Sequence, residues 1–301
     1  MGSRPEQAQP EQQGDPVGTG GVAKTFVLTF VAMVAFAANS IFCRFALAHT
    51  NIDPATFTLV RIGSGAAVLS ALNLVRGGRG ISGSWRSAIA LLTYAACFSF
   101  AYVSLTAATG ALLLFGSVQA TMIFWGVVTG EHLTGVQWAG LSAAMLGLIA
   151  LLAPGIVSPA PVGAVLMATA GVAWGAYTLL GRGTGDPIAT TAGNFLRAAP
   201  LALPLMLATS NTWDAQGVIW AMLSGAVASG LGYSIWYAAL PGLTATRAAS
   251  VQLSVPVITA ISGVAFLGET VSIRLAVASA TVLGGIALVV WGKARTVGSS
   301  R

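Results

Sequence analysis

Residues 105–134 read LTAATGALLLFGSVQATMIFWGVVTGEHLT, and residues 243–272 read LTATRAASVQLSVPVITAISGVAFLGETVS. Both open on Leu-Thr-Ala, run through a long apolar stretch and close on Gly-Glu, so that Gly130-Glu131 falls on Gly268-Glu269 at an offset of 138 residues. The same offset sets AFAANSIFCR at 35–44 against AWGAYTLLGR at 173–182, which aligns Asn39 with Tyr177 and Arg44 with Arg182. Between them SFAY at 99–102 resembles SIWY at 234–237 at the slightly shorter offset of 135, with Phe98 opposite Tyr233 and Tyr102 opposite Tyr237. A pattern repeated at one long period marks a duplicated structural unit.

Composition says where such a unit lives. Only 7% of the residues are charged and 55% are hydrophobic, too little charge to cover a soluble protein of this size. The chain is predicted to be an all-α integral membrane protein. Apolar stretches long enough to cross a hydrocarbon core of roughly 30 Å as helices lie near 25–47, 55–75, 86–106, 110–129, 135–153, 161–181, 188–209, 216–239, 244–267 and 271–291. They are continuously apolar, without the two-residue alternation of a barrel strand. Divided by the repeat they fall five and five. An odd number of crossings per repeat makes corresponding helices enter the bilayer from opposite sides, the inverted-repeat plan of many secondary transporters. The expected division is a disordered cytoplasmic tail at 1–23, repeats at 24–153 and 161–292, and a disordered tail at 293–301.

Orientation follows from the basic residues. Arg4, Lys24, Arg76, Arg79, Arg86, Arg182, Arg247, Lys293, Arg295 and Arg301 fall on the side of the tails, whereas Arg44 and Arg274 fall at helix ends on the other. The positive-inside rule then puts both termini in the cytoplasm. The net charge of +6 reflects this topology and not nucleic-acid binding. Cys43 and Cys97 lie within spans and suggest neither a disulfide nor a metal, and no cofactor is implied. His49 and His132 stand in separate loops with no acidic pair beside them, which argues against a membrane enzyme.

The five-plus-five spans, the Gly-Glu pair after the fourth helix of each half, and the Gly-rich fifth helices (GLSAAMLGLIAL and ASATVLGGIALVV) resemble the drug/metabolite transporter superfamily, specifically its EamA-type exporters. Within them the chain is most similar to the amino-acid exporters of the YddG type. The resemblance covers about residues 24–292. It implies a basket of helices one, three, four, six, eight and nine around a central cavity, with two and seven beside it and five and ten set apart.

Aromatic residues point to the site. Trp85, Trp138, Trp213 and Trp291 sit at segment ends and read as interface anchors. Tyr94, Tyr102, Trp174, Tyr177, Tyr233, Trp236 and Tyr237 instead lie inside spans, where a phenol or indole edge needs a partner away from lipid. Tyr94, Phe98 and Tyr102 recur at i, i+4, i+8; Trp174 and Tyr177 at i, i+3; Tyr233 and Tyr237 at i, i+4, so each set makes one helical stripe. Together they suit a substrate with an aromatic side chain and an ammonium group, or else they are interhelical packing. Neutral polar residues near the midplane complete the candidate site: Asn39, Ser117, Gln119, Gln252 and Ser254. Pro256 joins them because it frees the carbonyl of residue 252, or it simply kinks its helix.

The charged residues leave choices open. Arg197 reads as the charge deepest in a span, with Arg61 as its counterpart. Either grips a substrate carboxylate, or snorkels and bonds free carbonyls near Pro200 and Pro204. Glu131 and Glu269 are expected to sit favourably at the positive ends of the fifth and tenth helices. The stripes Ala276, Ala280, Gly284 and Gly140, Ala144 read as close helix packing, within the molecule or between copies. No Asp or Glu lies deep in a span, which predicts a facilitated carrier of a neutral or zwitterionic solute working by alternating access, without carboxylate-based proton coupling. The resemblance implies that the solute is an amino acid, aromatic or otherwise neutral, and that it is exported. Other small metabolites, lipophilic cations or drugs are the rival cargo.

Overall fold

The computed structural model describes residues 19–78, 80–130, 132–153, 159–181, 185–239, 243 and 251–298; the side chains at 19–22, 208, 237 and 292–298 lie outside the description. The described residues are helical, without strands. Helix α1 spans Thr19–His49, α2 Pro54–Val75, α3 Trp85–Tyr102, α4 Ala107–Val128 and α5 Gly135–Leu152. In the second half α6 spans Pro161–Leu180 and α7 Pro187–Ala202, prolonged by a 3₁₀ stretch Leu203–Ala208. Helix α8 runs as Ala215–Met222, a π-helical Leu223–Leu231 and Gly232–Ala239; α9 is Ser254–Leu267 and α10 Ile273–Gly298.

Seven of these helices are long and apolar enough to cross a membrane. Helix α3 carries Arg86, Ser87 and two tyrosines, and α7 has 16 residues with Thr, Asn and Arg among them, which dilutes their hydropathy. The outer surface supports a lipid environment: Phe26, Phe30, Leu146, Ile149, Val165, Phe266 and Val277 are all exposed, an apolar skin that water would penalise.

Local chemistry fixes the helix ends. Asp53 and Asp186 each precede a proline and accept hydrogen bonds from the two amides that follow it, a cap beside a residue that needs no amide partner. Gly130 and Gly268 follow the ends of α4 and α9 with φ of +96° and +63°, a left-handed turn that glycine adopts without strain. This explains the glycine of each Gly-Glu pair. The glutamate was expected to favour the helix that follows, and there the structure differs. Helix α10 is capped by Ser272, whose Oγ accepts from Leu275 N, while Glu269 folds away across the molecule. Helix α5 begins in a capping box of Thr134 and Gln137, and Glu131 lies outside the described residues.

Boundaries also shift at the tails. Helix α1 already runs at Thr19 and α10 continues to Gly298, so both helices extend into the segments expected to be disordered; residues 1–18 and 299–301 lie outside the description. Residues 251–252 of the ninth span are helical, its helix α9 runs from Ser254, and residues 244–250 lie outside the description.

The main packings form a regular set. Helix α3 packs on α6 as α8 packs on α1; α4 packs on α6 as α9 packs on α1; α2 packs on α8 as α7 packs on α3. Three further contacts, α2 with α7, α5 with α10 and α4 with α9, map onto themselves. The α5–α10 contact is close: a Cβ at Gly140 would come within 2.5 Å of the Gly285 carbonyl oxygen, and Gly147 fits against Val282. Gly140 and Ala144 therefore pack within the molecule as expected. On α10 the buried stripe is Leu275, Ala278, Val282, Gly285 and Val289, whereas Ala276, Ala280 and Gly284 face outward.

Candidate functional site

Aromatic rings from three helices meet in the interior. Trp174 on α6 lies 4.8 Å from the Tyr94 ring of α3, 5.0 Å from Tyr233 of α8 and 5.5 Å from Tyr177 one turn along its own helix. Phe98 packs edge-on against Tyr102 and tilted against Tyr94, and Phe36 of α1 meets both Tyr233 and Trp236 edge-on. Such offset and edge-on arrangements set the positive rim of one ring against the negative face of the next, worth about 0.5–1.5 kcal/mol each beyond burial. The i, i+4 spacing read from the sequence thus places Tyr94 and Phe98 on one inward face.

These rings wall a small cavity. Phe36, Asn39 and Ser40 of α1, Tyr94 and Phe98 of α3, Leu114 and Phe115 of α4, Trp174 of α6, and Ala228 and Tyr233 of α8 line it. Its volume is about 20 Å³, room for roughly a single water. The resemblance implies a central cavity; among the described residues the rings leave this one-water hollow, whose walls nearly touch. Any substrate of amino-acid size must part the rings to enter.

A polar network runs through this wall. Asn39 donates through Nδ2 to the Tyr94 hydroxyl oxygen at 3.1 Å and accepts at Oδ1 from the Ser224 hydroxyl at 2.6 Å. Arg61 of α2 donates from Nη2 to the same Tyr94 oxygen at 2.9 Å. Its guanidinium carbon lies 5.0 Å from the Tyr94 ring centroid and 4.9 Å from that of Phe98, so the cation rests against two π faces.

The remaining predicted site residues spread around this centre. Tyr177 is buried, its hydroxyl taking a 3.4 Å hydrogen bond from Asn194. Tyr102 is fully buried, donates to the Ala107 carbonyl and fills the space left by Gly110. Trp236 joins through Phe36. Ser117 packs at Gly171 on the α4–α6 contact, and Gln119 is buried on α4 beyond the cavity lining. Gln252 and Ser254 are half-buried, with Ser254 donating to its own Val251 carbonyl, and Pro256 is buried near the start of α9. The Tyr237 side chain lies outside the description.

Arg61 is what the sequence reading ranked too low. Depth was judged from position along a span, which favoured Arg197. The structure reverses the pair: Arg197 is half-exposed and donates to the Ser82 and Gly193 carbonyls, where the α2–α3 loop lies against α7, while Arg61 is 2% exposed. The Asp-Pro starts of α2 and α7 would have corrected this. Counting from Asp53 and from Asp186, Arg61 aligns with Asn194, the residue that meets Tyr177.

The two ends of the bundle differ. Beyond Asn39 on α1, Arg44 pairs through Nε with Glu269 Oε1 at 3.0 Å and donates through Nη1 to the Tyr102 carbonyl at 2.9 Å. Glu269 Oε2 accepts from Ala107 N at 2.8 Å, and the bare Cα of Gly263 leaves room for the carboxylate. One clasp thus joins the ends of α1 and α3, the start of α4 and the α9–α10 turn. On the same side Asp53 is buried; burial alone would raise its pKa, but hydrogen bonds from Thr56, Thr209 and Ala55 outweigh that and hold it below the ordinary carboxylate value. At the opposite end a cleft of about 640 Å³ opens between the α2–α3 loop and the α6–α7 connection, lined by Ile81, Ser82, Ser84, Leu180, Asp186 and Thr190. Asn194 links this cleft to the rings, accepting from Ser84 N at 2.9 Å and donating to Tyr177.

Membrane-crossing helices thus enclose a polar, ring-walled interior that is clasped at one end. Residues 161–291 match the EamA-like transporter family. An uncharacterized protein of Pseudomonas aeruginosa is 53% identical over 270 residues, 88% of this chain and 94% of its own length. An uncharacterized transporter of Archaeoglobus fulgidus is 27% identical over 88% of this chain and 97% of its own, and the uncharacterized transporter YwfM of Bacillus subtilis is 27% identical over 75% and 81%. A solved crystal structure at 21% identity superposes with a TM-score of 0.64, covering 89% of this chain and 97% of its own, and so shares the fold. The chain belongs to the EamA-like transporter family, within the drug/metabolite transporter superfamily.

Proposed function

We propose that the protein exports amino acids, aromatic and other neutral ones, across the inner membrane by alternating access between two inverted five-helix repeats, α1–α5 and α6–α10. Both termini are cytoplasmic in this reading. The observation that carries it is the Trp174 ring held between Tyr94 and Tyr233 beside the Asn39 amide, a set of π faces and amide groups suited to an aromatic side chain and an ammonium. The packings that exchange in pairs between the two halves support a two-fold relation of the repeats. The Arg44–Glu269 clasp closes the outer end, and the cleft by Ser82 and Asp186 is the route from the cytoplasm.

Transport in this reading is facilitated: the solute runs down its own gradient, and no carboxylate relay takes part. The test is purified protein in liposomes, given labelled amino acids with and without a pH gradient. Saturable counterflow that is independent of the gradient and reduced about tenfold or more by Trp174→Ala is expected. Flux in fixed ratio to protons, or undiminished flux in the variant, overturns the proposal.

A further inference from the structure

Among the charged side chains of the described residues, Arg61 stands apart in lacking a counter-charge while fully buried. The ion pair found among those residues is Arg44–Glu269, at the end of the bundle. Arg61 is 2% exposed and its Nη1 has no hydrogen-bond partner at all. Placing a guanidinium within a membrane without a counter-charge is strongly unfavourable. Two ring faces and one phenol oxygen offset part of that. They supply no negative charge and leave one donor idle, a state that native interiors avoid unless the group has work elsewhere.

We propose that Arg61 is the anion subsite of the chamber, and that Nη1 receives the carboxylate of the transported solute. This deepens the reading of the chamber as a substrate site and rests on it. The geometry fits. Arg61 stands directly behind Tyr94 and Phe98, both of which line the cavity, and it is anchored to Tyr94 by Nη2. The Tyr94 oxygen accepts from both Arg61 and Asn39, so its own proton is left as a further donor. A carboxylate reaching this corner satisfies the idle nitrogen and the buried charge together, with the planar fork of arginine matched to it. A cationic cargo without a carboxylate meets an uncompensated positive charge instead. The subsite therefore sets the chemical class: amino acids and other carboxylates pass, and simple amines do not.

Two measurements test this, and they separate it from the transport reading. In the first, counterflow of each carried amino acid in liposomes is competed by its amide and by its decarboxylated amine. The wild type prefers the carboxylate by about 10- to 100-fold, the worth of a charge-assisted hydrogen bond to a buried group, and Arg61→Met brings the ratio near unity. A ratio is unaffected by the amount of folded protein. In the second, thermal unfolding of the detergent-solubilised protein is followed with phenylacetate or benzylamine added. Phenylacetate raises the midpoint of the wild type and not of Arg61→Met, and Arg61→Lys retains part of the shift. Wild-type protein stabilised by benzylamine as well as by phenylacetate, or an unchanged preference in Arg61→Met, overturns the subsite. Absence of amino-acid counterflow alongside an Arg61-dependent phenylacetate shift instead refutes the export reading alone.

Discussion

Replacing Glu269 with Gln removes one charge from the clasp and leaves its shape. The amide oxygen can still accept from Ala107 N, as Oε2 does at 2.8 Å, but the pair with Arg44 Nε at 3.0 Å loses its charge. Two unit charges at that distance attract by about 5.5 kcal/mol at an effective dielectric of 20. Desolvation offsets much of this, because the two side chains are only 20% and 12% exposed. A net loss of about 2 kcal/mol is left, in the range of hydrogen bonds to charged groups. That is roughly a 30-fold change in the balance between the closed and open forms of this end, so a form closed about 99% of the time falls to about 77%. The readout is a single cysteine at Ser40, a chamber-lining position, in a background with Cys43→Ala and Cys97→Ala. A membrane-impermeant maleimide applied from the clasp side labels that cysteine in proportion to the open fraction. Glu269→Gln is expected to speed labelling about 20- to 30-fold, and exchange of the two charges, Arg44→Glu with Glu269→Arg, to slow it again. Equal rates in the wild type and Glu269→Gln would refute the clasp as the element that holds this end shut.

Two other outcomes follow from the same coordinates. Asp53, whose pKa is held down in the folded state, contributes stability that is full above the ordinary carboxylate value of 3.8 and is lost as pH falls through its lower folded value. Asp53→Asn keeps the helix cap but gives up the charge to which the Thr56 and Thr209 hydroxyls donate, and should therefore lower stability by about 1 kcal/mol at pH 7. Thermal scans from pH 7 to pH 2 should show the gap to wild type closing as the wild-type carboxylate protonates. Gly285→Ala places a methyl against the Gly140 carbonyl and the Ala144 backbone, which cannot yield as a side chain would. The α5–α10 contact should loosen by about 1–3 kcal/mol, seen as a lower unfolding temperature with transport affinity unchanged, whereas Gly284→Ala, at a position open to the outside, should leave both as they were.

Most of the helix positions were legible because span length is a property of local composition: an apolar run bounded by Asp-Pro or Gly-Glu marks its own ends. The inward tyrosines were legible because a phenol has few places to go in lipid, and helical spacing then groups Tyr94 with Phe98. The role of Glu269 was not. A carboxylate beside a helix start suggests a dipole contact, and only the fold back over Gly263 carries it to Arg44, 225 positions away in the chain. Arg61 escaped for a related reason. Its depth depends on α3 and α8 packing over it, and the sequence records the position of a residue along its own helix but not what covers it. The tightness of the chamber is likewise a matter of how neighbouring rings interlock.

That tightness has a physiological side. A hollow with room for one water cannot hold a hydrogen-bonded file, so at this point among the described residues hydrogen ions find no wire and sodium no space for its hydration shell. A wider, wetter interior at the same place would let charge leak across the membrane. Here the lining acts as electrical insulation.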